Sequence, residues 1–297
     1  MKDRKLGRPG RCRGLSSSES QADSREGGQS RHVFITLLTD FGLNDTYVGV
    51  MKGVIAGINP TAAIIDLCHG VAPHDTRAAA FLLAGSYSFF PAGTIHVVIV
   101  DPEVGSARRA LCVQAGEHFF VGPDNGILSI ACFQAGHPRI FLLENEVYFL
   151  KKKSRTFHGR DIFAPVAAHL SAGALIESVG RRLRSMRQIR MPVPKAGPAR
   201  LLRGEILHVD RFGNLITNIQ EKDLLRVFGE ENTRRLVITC ANRRIAGVVE
   251  TYSDARPGVA LALFGSHDFM EIAISSGSAA ATLGAKREDK VRVELKQ

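Results

Sequence analysis

Hydrophobic and polar positions alternate between two periods along the first half of the chain. Val33-Phe34-Ile35-Thr36-Leu37-Leu38 is a short apolar run of the kind that forms a buried strand, and it ends in Thr39-Asp40-Phe41-Gly42. Helical spacing follows, with Tyr47, Met51, Val54, Ile55 and Ile58 on one face, Asn44 or Asp45 available as cap and Asn59-Pro60 as stop. Ile64-Ile65-Asp66-Leu67 predicts a second strand. Asp75 then caps a helix carrying Ala79, Leu82 and Leu83 through Ser86-Tyr87 to Pro91. A third strand is predicted over the run beginning at Thr94, which ends at Asp101. Pro102 and Gly105 turn the chain before the adjacent Arg108 and Arg109. Strands follow at Ala110–Gln114 and His118–Val121, then a tight turn at Gly122-Pro123-Asp124-Asn125-Gly126 and a helix over Ile127–Ala135. Arg139–Leu143 reads as a strand, and Gly159–Ala172 as a helix with Ile162, Phe163, Val166, Ala167 and Leu170 on its apolar face.

Strands alternating with helices predict an α/β domain over residues 32–180, a mostly parallel sheet with helices on both faces. Between 181 and 203 the texture changes to Arg, Pro and Gly without periodicity, which reads as an interdomain linker. Residues 204–297 hold only short strands, at Glu205–Val209, Leu215–Ile219, Leu236–Cys240, Ile245–Val249, Val259–Phe264, Met270–Ile274 and Val291–Leu295. They predict a small antiparallel barrel or sandwich. Residues 1–31, rich in Arg, Ser and Gly, have too few apolar side chains to offset ordering entropy and are expected to form a disordered basic tail.

Charge and cysteine content narrow the picture. The net charge is +10, but the tail holds eight basic and four acidic residues, and the other basic clusters lie at Lys151–Arg155 and Arg181–Arg190. Such clusters are solvated surface, and no RNP-like aromatic motif or zinc-finger spacing accompanies them, so no nucleic-acid partner is expected. No apolar run reaches the ~20 residues of a membrane span, and no segment resembles a secretory signal. A soluble cytoplasmic protein with no membrane partner is expected. Cys12, Cys68, Cys112, Cys132 and Cys240 are scattered without C-x-x-C or paired His, which predicts reduced cysteines and no metal site.

The candidate chemistry lies at strand ends. Asp40 and Asp101 sit at the carboxyl ends of predicted strands, where ligands bind in open α/β sheets; Asp66 lies within one. A carboxylate there suits a ribose diol; the alternative use is an N-cap or Asx-turn for Asp40 and capping of its own turn for Asp101. Arg108 and Arg109 follow Asp101 by seven and eight residues, and only one can point inward. A buried guanidinium there would favour deprotonation of a bound water. His158 in Thr156-Phe-His-Gly-Arg-Asp161 precedes a helix, and Arg160 and Asp161 suit a local ion pair. No G-x-S-x-G, Walker or G-x-G-x-x-G pattern is present. In the second half, the polar density from His208 to Asn218 fits a hairpin turn, and Asp210 with Asn214 also suits an ammonium group. Gly265-Ser266-His267-Asp268 and Ser275-Ser276-Gly277-Ser278 offer backbone groups to a carboxylate or a base.

Taken together, TDFG at 39–42, DPEVG at 101–105, GPDNG at 122–126, FHGRD at 157–161 and VDRFGNLITNI at 209–219 resemble the S-adenosyl-L-methionine hydroxide adenosyltransferase family, relatives of the fluorinase and chlorinase. The resemblance runs from about Val33 to about Gly284. It implies an N-terminal α/β domain, a C-terminal β-barrel, and homotrimers with each active site between the N-domain of one subunit and the C-domain of the next. It implies Asp101, Arg108 and His158 around an attacking water, the Asp-to-Arg step selecting Arg108 over Arg109. Asp40 would hold the ribose hydroxyls, Asp210 and Asn214 the methionine ammonium, Ser266 its carboxylate, and backbone near Ile274–Ser276 the adenine edge. The implied reaction is hydrolysis of S-adenosyl-L-methionine to adenosine and L-methionine without metal or cofactor. The related halogenases carry Tyr at the position of Asp101, a halide-binding Ser at that of Gly159, and an extra loop for which residues 90–94 leave no room. A halogenase and a nonenzymatic S-adenosylmethionine- or adenosine-binding module disabled by Glu103 are the alternatives. Glu103 replaces the Gly of the family's DPGVG, and Gly265-Ser266-His267-Asp268 replaces its Asn-Ser-x-Gly.

Overall fold

Seven strands build the first sheet of the computed structural model, which is described over residues 33–296. The expected disordered tail, and Cys12 with it, lies outside those residues. In chain order the elements are β1 (Phe34–Thr39), α1 (Tyr47–Ile58), β2 (Ala63–Cys68), α2 (Thr76–Ala84), β3 (Ile95–Ile99), β4 (Ala110–Ala115), β5 (His118–Pro123), α3 (Ser129–Ala135) and β6 (Arg139–Leu142). A single π-helical turn, Gly159–Phe163, runs into α4 (Ala164–Ser171), and β7 (Arg182–Leu183) completes the set.

The strand order is β2-β1-β3-β5-β4-β6-β7. The half comprising β2, β1, β3 and β5 is parallel, as alternating elements require; β4, β6 and β7 extend it antiparallel. The central strands are apolar on both faces because both faces are covered. Ile35, Leu37, Val97 and Ile99 pack with Met51 and Ile55 of α1 and Val166 and Ala167 of α4. Their neighbours Leu38, Val98 and Val100 pack on the opposite face with Ala79 and Leu83 of α2 and Ala131 and Cys132 of α3.

The second half forms an antiparallel sheet from β8 (Lys195–Gly197), β9 (Leu201–Val209), β10 (Leu215–Gln220), β11 (Leu236–Cys240), β12 (Arg243–Ala246), β13 (Ala260–Phe264), β14 (Phe269–Ile274) and β15 (Lys290–Leu295), with α5 (Glu221–Phe228) and α6 (Ala279–Leu283) between strands. Its order is β12-β11-β15-β9-β10-β14-β13, with β8 on β9. The Val249 N–H donates to the Ala262 carbonyl at 2.8 Å and brings the segment after β12 back to β13, so the sheet nearly closes into a barrel. Its interior is filled by Leu202, Ile206, Leu215, Ile238, Ile272, Val291 and their neighbours.

Several local expectations change. Thr46, with no side-chain cap bond, stands at the N-cap of α1 in place of Asn44 or Asp45. Asp75 does cap α2, accepting from the Ala78 N–H at 3.0 Å. α3 starts two residues later than its apolar run, because Ile127 and Leu128 are buried in the turn that precedes it. The strand read at Ile245–Val249 lies at Arg243–Ala246. α5 was not predicted, although Gln220 and Asp223 form a capping box that marks its start. Within 181–203, β7 joins the first sheet and β8 the second. Phe81 of α2 packs with Leu207 and Ile216 of the barrel, and Asp75–Arg287 and Arg77–Glu288 ion pairs flank that contact. Among the described residues no helix is long and apolar enough to cross a membrane, and no group of side chains has the makings of a metal site.

Gly122 shows how tightly β5 sits on β3: a Cβ there would stand 2.4 Å from the Val98 carbonyl oxygen. Gly122→Ala is expected to destabilise the protein by about 1–3 kcal/mol, seen as a lower urea midpoint; an unchanged midpoint would contradict this packing.

Candidate functional site

Because β1 and β3 are parallel neighbours, with Thr39 opposite Ile99, the chain leaves both strands on the same side and delivers Asp40 and Asp101 to one edge. His158 arrives there from the segment ahead of the π turn. Asp40, Asp101 and His158 line one cavity of about 310 Å³, with Phe41, Tyr47 and Phe157 among its walls.

Asp101 and Arg108 form an ion pair whose side chains are 5% and 2% exposed. Arg108 Nε donates to both carboxylate oxygens at 3.0 and 2.9 Å, and Nη2 to Oδ2 at 2.5 Å. The guanidinium also lies 5.3 Å from the centroid of the Phe163 ring. Its Nη2 stands 2.8 Å from His158 Nδ1. A guanidinium has donors and no acceptor, so Nδ1 must offer a lone pair and the neutral ring carries its proton on Nε2. Burial, and then the charge of Arg108, push the His158 pKa below the ordinary imidazole range.

Arg109 points elsewhere, to Asp124 through Nε at 2.6 Å and to the Ser185 carbonyl. Of the two arginines only Arg108 reaches Asp101. The turn at 122–126 is more than a turn: Asn125 Nδ2 donates to the Val100 carbonyl at 2.8 Å and fastens the residue before Asp101. Glu103 is directed outward to Arg187 Nη1 at 2.7 Å. The residue of this loop that needs left-handed backbone is Gly105, at φ +80°, and a Cβ on it would meet the Arg155 carbonyl oxygen at 2.5 Å. A charged side chain at 103 is therefore compatible with the turn.

Asp40 accepts from the His74 N–H through Oδ2 at 2.9 Å, while Oδ1 has no donor among the described residues. Behind it, His69 Nδ1 lies 2.8 Å from Thr39 Oγ1, which accepts from the Phe41 N–H, and the His69 carbonyl accepts from Gly42. His69 Nε2 lies 3.0 Å from Asp66, which Lys52 also contacts at 2.6 Å. Burial opposes ionisation of Asp66, but its bonds to His69 and Lys52 prevail and hold its pKa below the usual value. Asp66 thus supports the Asp40 turn from behind.

Asp210, Asn214, Ser266, Ile274 and Ser276 line a different cavity, of about 760 Å³, between the barrel's outer face and Phe81 and Leu82 of α2. Asp210 closes the hairpin turn, accepting the N–H groups of Phe212 and Asn214 at 2.9 and 2.8 Å and Asn214 Nδ2 at 2.9 Å. The hairpin reading and the binding reading coexist there. Within one chain the residues proposed from sequence therefore fall into two sets, one per cavity. Other residues that line the second cavity had no site role in the sequence reading, among them Phe212, Tyr252 and Glu271. Phe212 is 76% exposed at the rim and stood inside a motif already singled out. Tyr252 and Glu271 come from separate segments of the barrel and carry no sequence signal; the Tyr252 hydroxyl donates to Glu271 Oε2 at 2.6 Å.

Comparison with known proteins matches the model of the SAM hydroxide adenosyltransferase N-terminal domain over residues 35–180 and that of the C-terminal domain over 204–292. A curated relative from Salinispora tropica, named (R)-S-adenosyl-L-methionine hydrolase, is 39% identical over 262 residues, covering 88% of this chain and 97% of its own. A protein from Actinoplanes named fluorinase is 27% identical over 74% of this chain and 83% of its own. The crystal structure of a conserved protein from Thermotoga maritima superposes with a TM-score of 0.82 at 38% identity, covering 88% of this chain and 99% of that one.

The Arg108–His158 bond makes a spectroscopic prediction. ¹⁵N–¹H spectra of labelled protein are expected to show the His158 proton on Nε2 and a titration below the ordinary imidazole pKa. In Arg108→Met the pKa rises, because the charge that disfavours imidazolium is gone while Asp101 remains. A proton on Nδ1, or no rise, would contradict the geometry.

Proposed function

The chain belongs to the SAM hydroxide adenosyltransferase family, and we propose that it hydrolyses S-adenosyl-L-methionine to adenosine and L-methionine by in-line attack of water on C5′. The observation that carries this reading is the buried Asp101–Arg108 ion pair, hydrogen-bonded through Arg108 to His158, at a cavity that also holds Asp40.

The sulfonium is already an activated leaving group, so the protein has only to hold water in line and stabilise the charge that moves. The C5′–O bond forms while the C5′–S bond breaks, and the electron pair stays on sulfur to give the methionine thioether. Oxygen bonded to C5′ with both protons is a strong acid, so a carboxylate is base enough: Asp101 takes the proton and passes it to solvent. With Nδ1 engaged by Arg108, His158 offers the water a donor, Nε2–H, and acts by orienting and stabilising its oxygen. Arg108 hydrogen-bonds both Asp101 and His158 and supplies positive charge beside the nucleophile. Asp40 takes the ribose hydroxyls through its free Oδ1. No step calls for a metal or a cofactor.

Asp210 and Asn214 take the ammonium of the methionine end, Ser266 its carboxylate, and the backbone of Ile274–Ser276 the adenine edge, with the Phe212 and Tyr252 rings flanking it. These groups lie in the second cavity, so we read the complete site as formed between the first cavity of one subunit and the second cavity of the next, in a homotrimer. Tyr47 and Val104, which line the first cavity, are exposed, as are Leu43 and Val50 nearby in the chain, and exposed apolar side chains there suit burial against another copy.

The halogenase alternative has less support. A Cβ on Gly159 would come within 3.2 Å of Ile99, Met51 and Phe157, which leaves no easy place for a serine, and the relatives named fluorinase are more distant. The binding-module alternative relied on Glu103, whose carboxylate is engaged by Arg187 away from the cavity.

Incubation with S-adenosyl-L-methionine in ¹⁸O water is expected to release methionine and adenosine labelled at the 5′-hydroxyl. Arg108→Met is expected to lower kcat by about 10²–10³ or more; an inactive wild type, or full activity in that variant, would reject the reading. Shared sites are checked by co-expressing Asp101→Ala with Asn214→Ala. Each alone is weakly active, and random mixing restores about a quarter of wild-type activity, because one interface in four then carries two intact halves. No recovery would place each site within one chain.

A further inference from the structure

The second cavity holds a charge that the reading above leaves unused. Glu271 lies on β14 in register with Ile216 of β10 on one side and Leu263 of β13 on the other, and is 6% exposed. One oxygen, Oε2, accepts the Tyr252 hydroxyl. The other, Oε1, has no donor among the described residues and stands 1.7 Å from where a Cβ on Gly265 would be, so it rests against the backbone that leads into Ser266. No Lys or Arg pairs with Glu271 among the described residues, and none lines the cavity. A carboxylate amid apolar neighbours is costly to keep without a positive partner. Burial, and then the hydrogen bond to Glu271, push the Tyr252 pKa up, so the hydroxyl remains a donor and keeps the carboxylate in place.

Resting on the proposed substrate, we infer that Glu271, steadied by Tyr252, is the counter-charge for the α-ammonium of the amino-acid end and determines specificity for it. The α-ammonium and α-carboxylate share one carbon, so the group that takes the first must lie close to the group that takes the second. Glu271 packs under Gly265, next to Ser266. Asp210, by contrast, has both oxygens engaged by its own turn. Asp210 and Asn214 meet the ammonium from the turn, and Glu271 supplies the carboxylate oxygen that remains open. Neutral or anionic ligands of the same size gain nothing from it.

The test compares two ligands in two proteins. The probe is 5′-deoxy-5′-dimethylsulfonioadenosine, which keeps adenosine and the sulfonium but lacks the amino-acid carbon that bears the ammonium. In Glu271→Gln, Kd and KM for S-adenosyl-L-methionine are expected to rise about 10-fold or more, with kcat at saturation within about threefold. Probe affinity changes by less than about twofold, since the interaction belongs to the ammonium. Tyr252→Phe, which keeps the ring, gives a smaller loss with the same selectivity and serves if Glu271→Gln does not fold. Equal losses for both ligands would make Glu271 a packing residue and overturn the inference, as would an unchanged affinity for S-adenosyl-L-methionine. Wild type that binds S-adenosyl-L-methionine without cleaving it would overturn the hydrolase reading alone, because the ratio of affinities still tests Glu271.

Discussion

The Asp101–Arg108 ion pair is the interaction on which the first cavity depends. Both side chains are almost fully withdrawn from water, so neither charge is tolerable without the other, and removing one partner of such a pair typically costs about 3–5 kcal/mol. The same guanidinium fixes the His158 tautomer, so one residue determines both the charge balance and the direction in which the imidazole can donate. The supports lie outside the cavity. Asn125 fastens the chain before Asp101, and Gly105 lets it turn back so that Arg108 can reach. Asp161, wholly buried, accepts the Ser154 N–H and pairs with Arg160, holding the segment that presents His158.

The two cavities have different physical characters. The first presents a compensated charge set at the carboxyl edge of parallel strands, where loop backbones converge because β1 and β3 run side by side. The second lies on the outer face of an antiparallel barrel, is rich in aromatic and apolar walls, and carries carboxylates with no Lys or Arg among the described residues that line it. In the proposed reaction the first matches the nucleophile and the second the positively charged substrate. This division accounts for a chain with two sheet units whose contact through Phe81, Leu207 and Ile216 is buried and flanked by ion pairs.

The linear chain already contained candidates for the first cavity, because they sit where hydrophobic runs stop: Asp40 after β1, Asp101 after β3, His158 before the π turn. Periodicity also predicted the strands of the first sheet except β7, which lay in the stretch read as a linker, and most of the barrel, since burial on one or two faces dictates which positions are apolar. It missed the start of α1, where Thr46 supplies no side-chain bond, and it misplaced β12, whose strand bounds follow from pairing with β11.

What the sequence determined by itself was therefore local: which segments are strands or helices, where carboxylates fall at strand ends, and that one of the two arginines turns inward, the family resemblance pointing to Arg108. Only the tertiary structure decided that Arg109 meets Asp124, that Asp66 stands behind the Asp40 turn, and that Glu103 faces Arg187. It alone brought Tyr252 to Glu271, nineteen residues away in sequence and on a different segment of the barrel. The physical reason is common to all of these. Direction and partnership of a side chain depend on which backbone segments pack together, and that is a property of the closed sheets, not of any one stretch of chain.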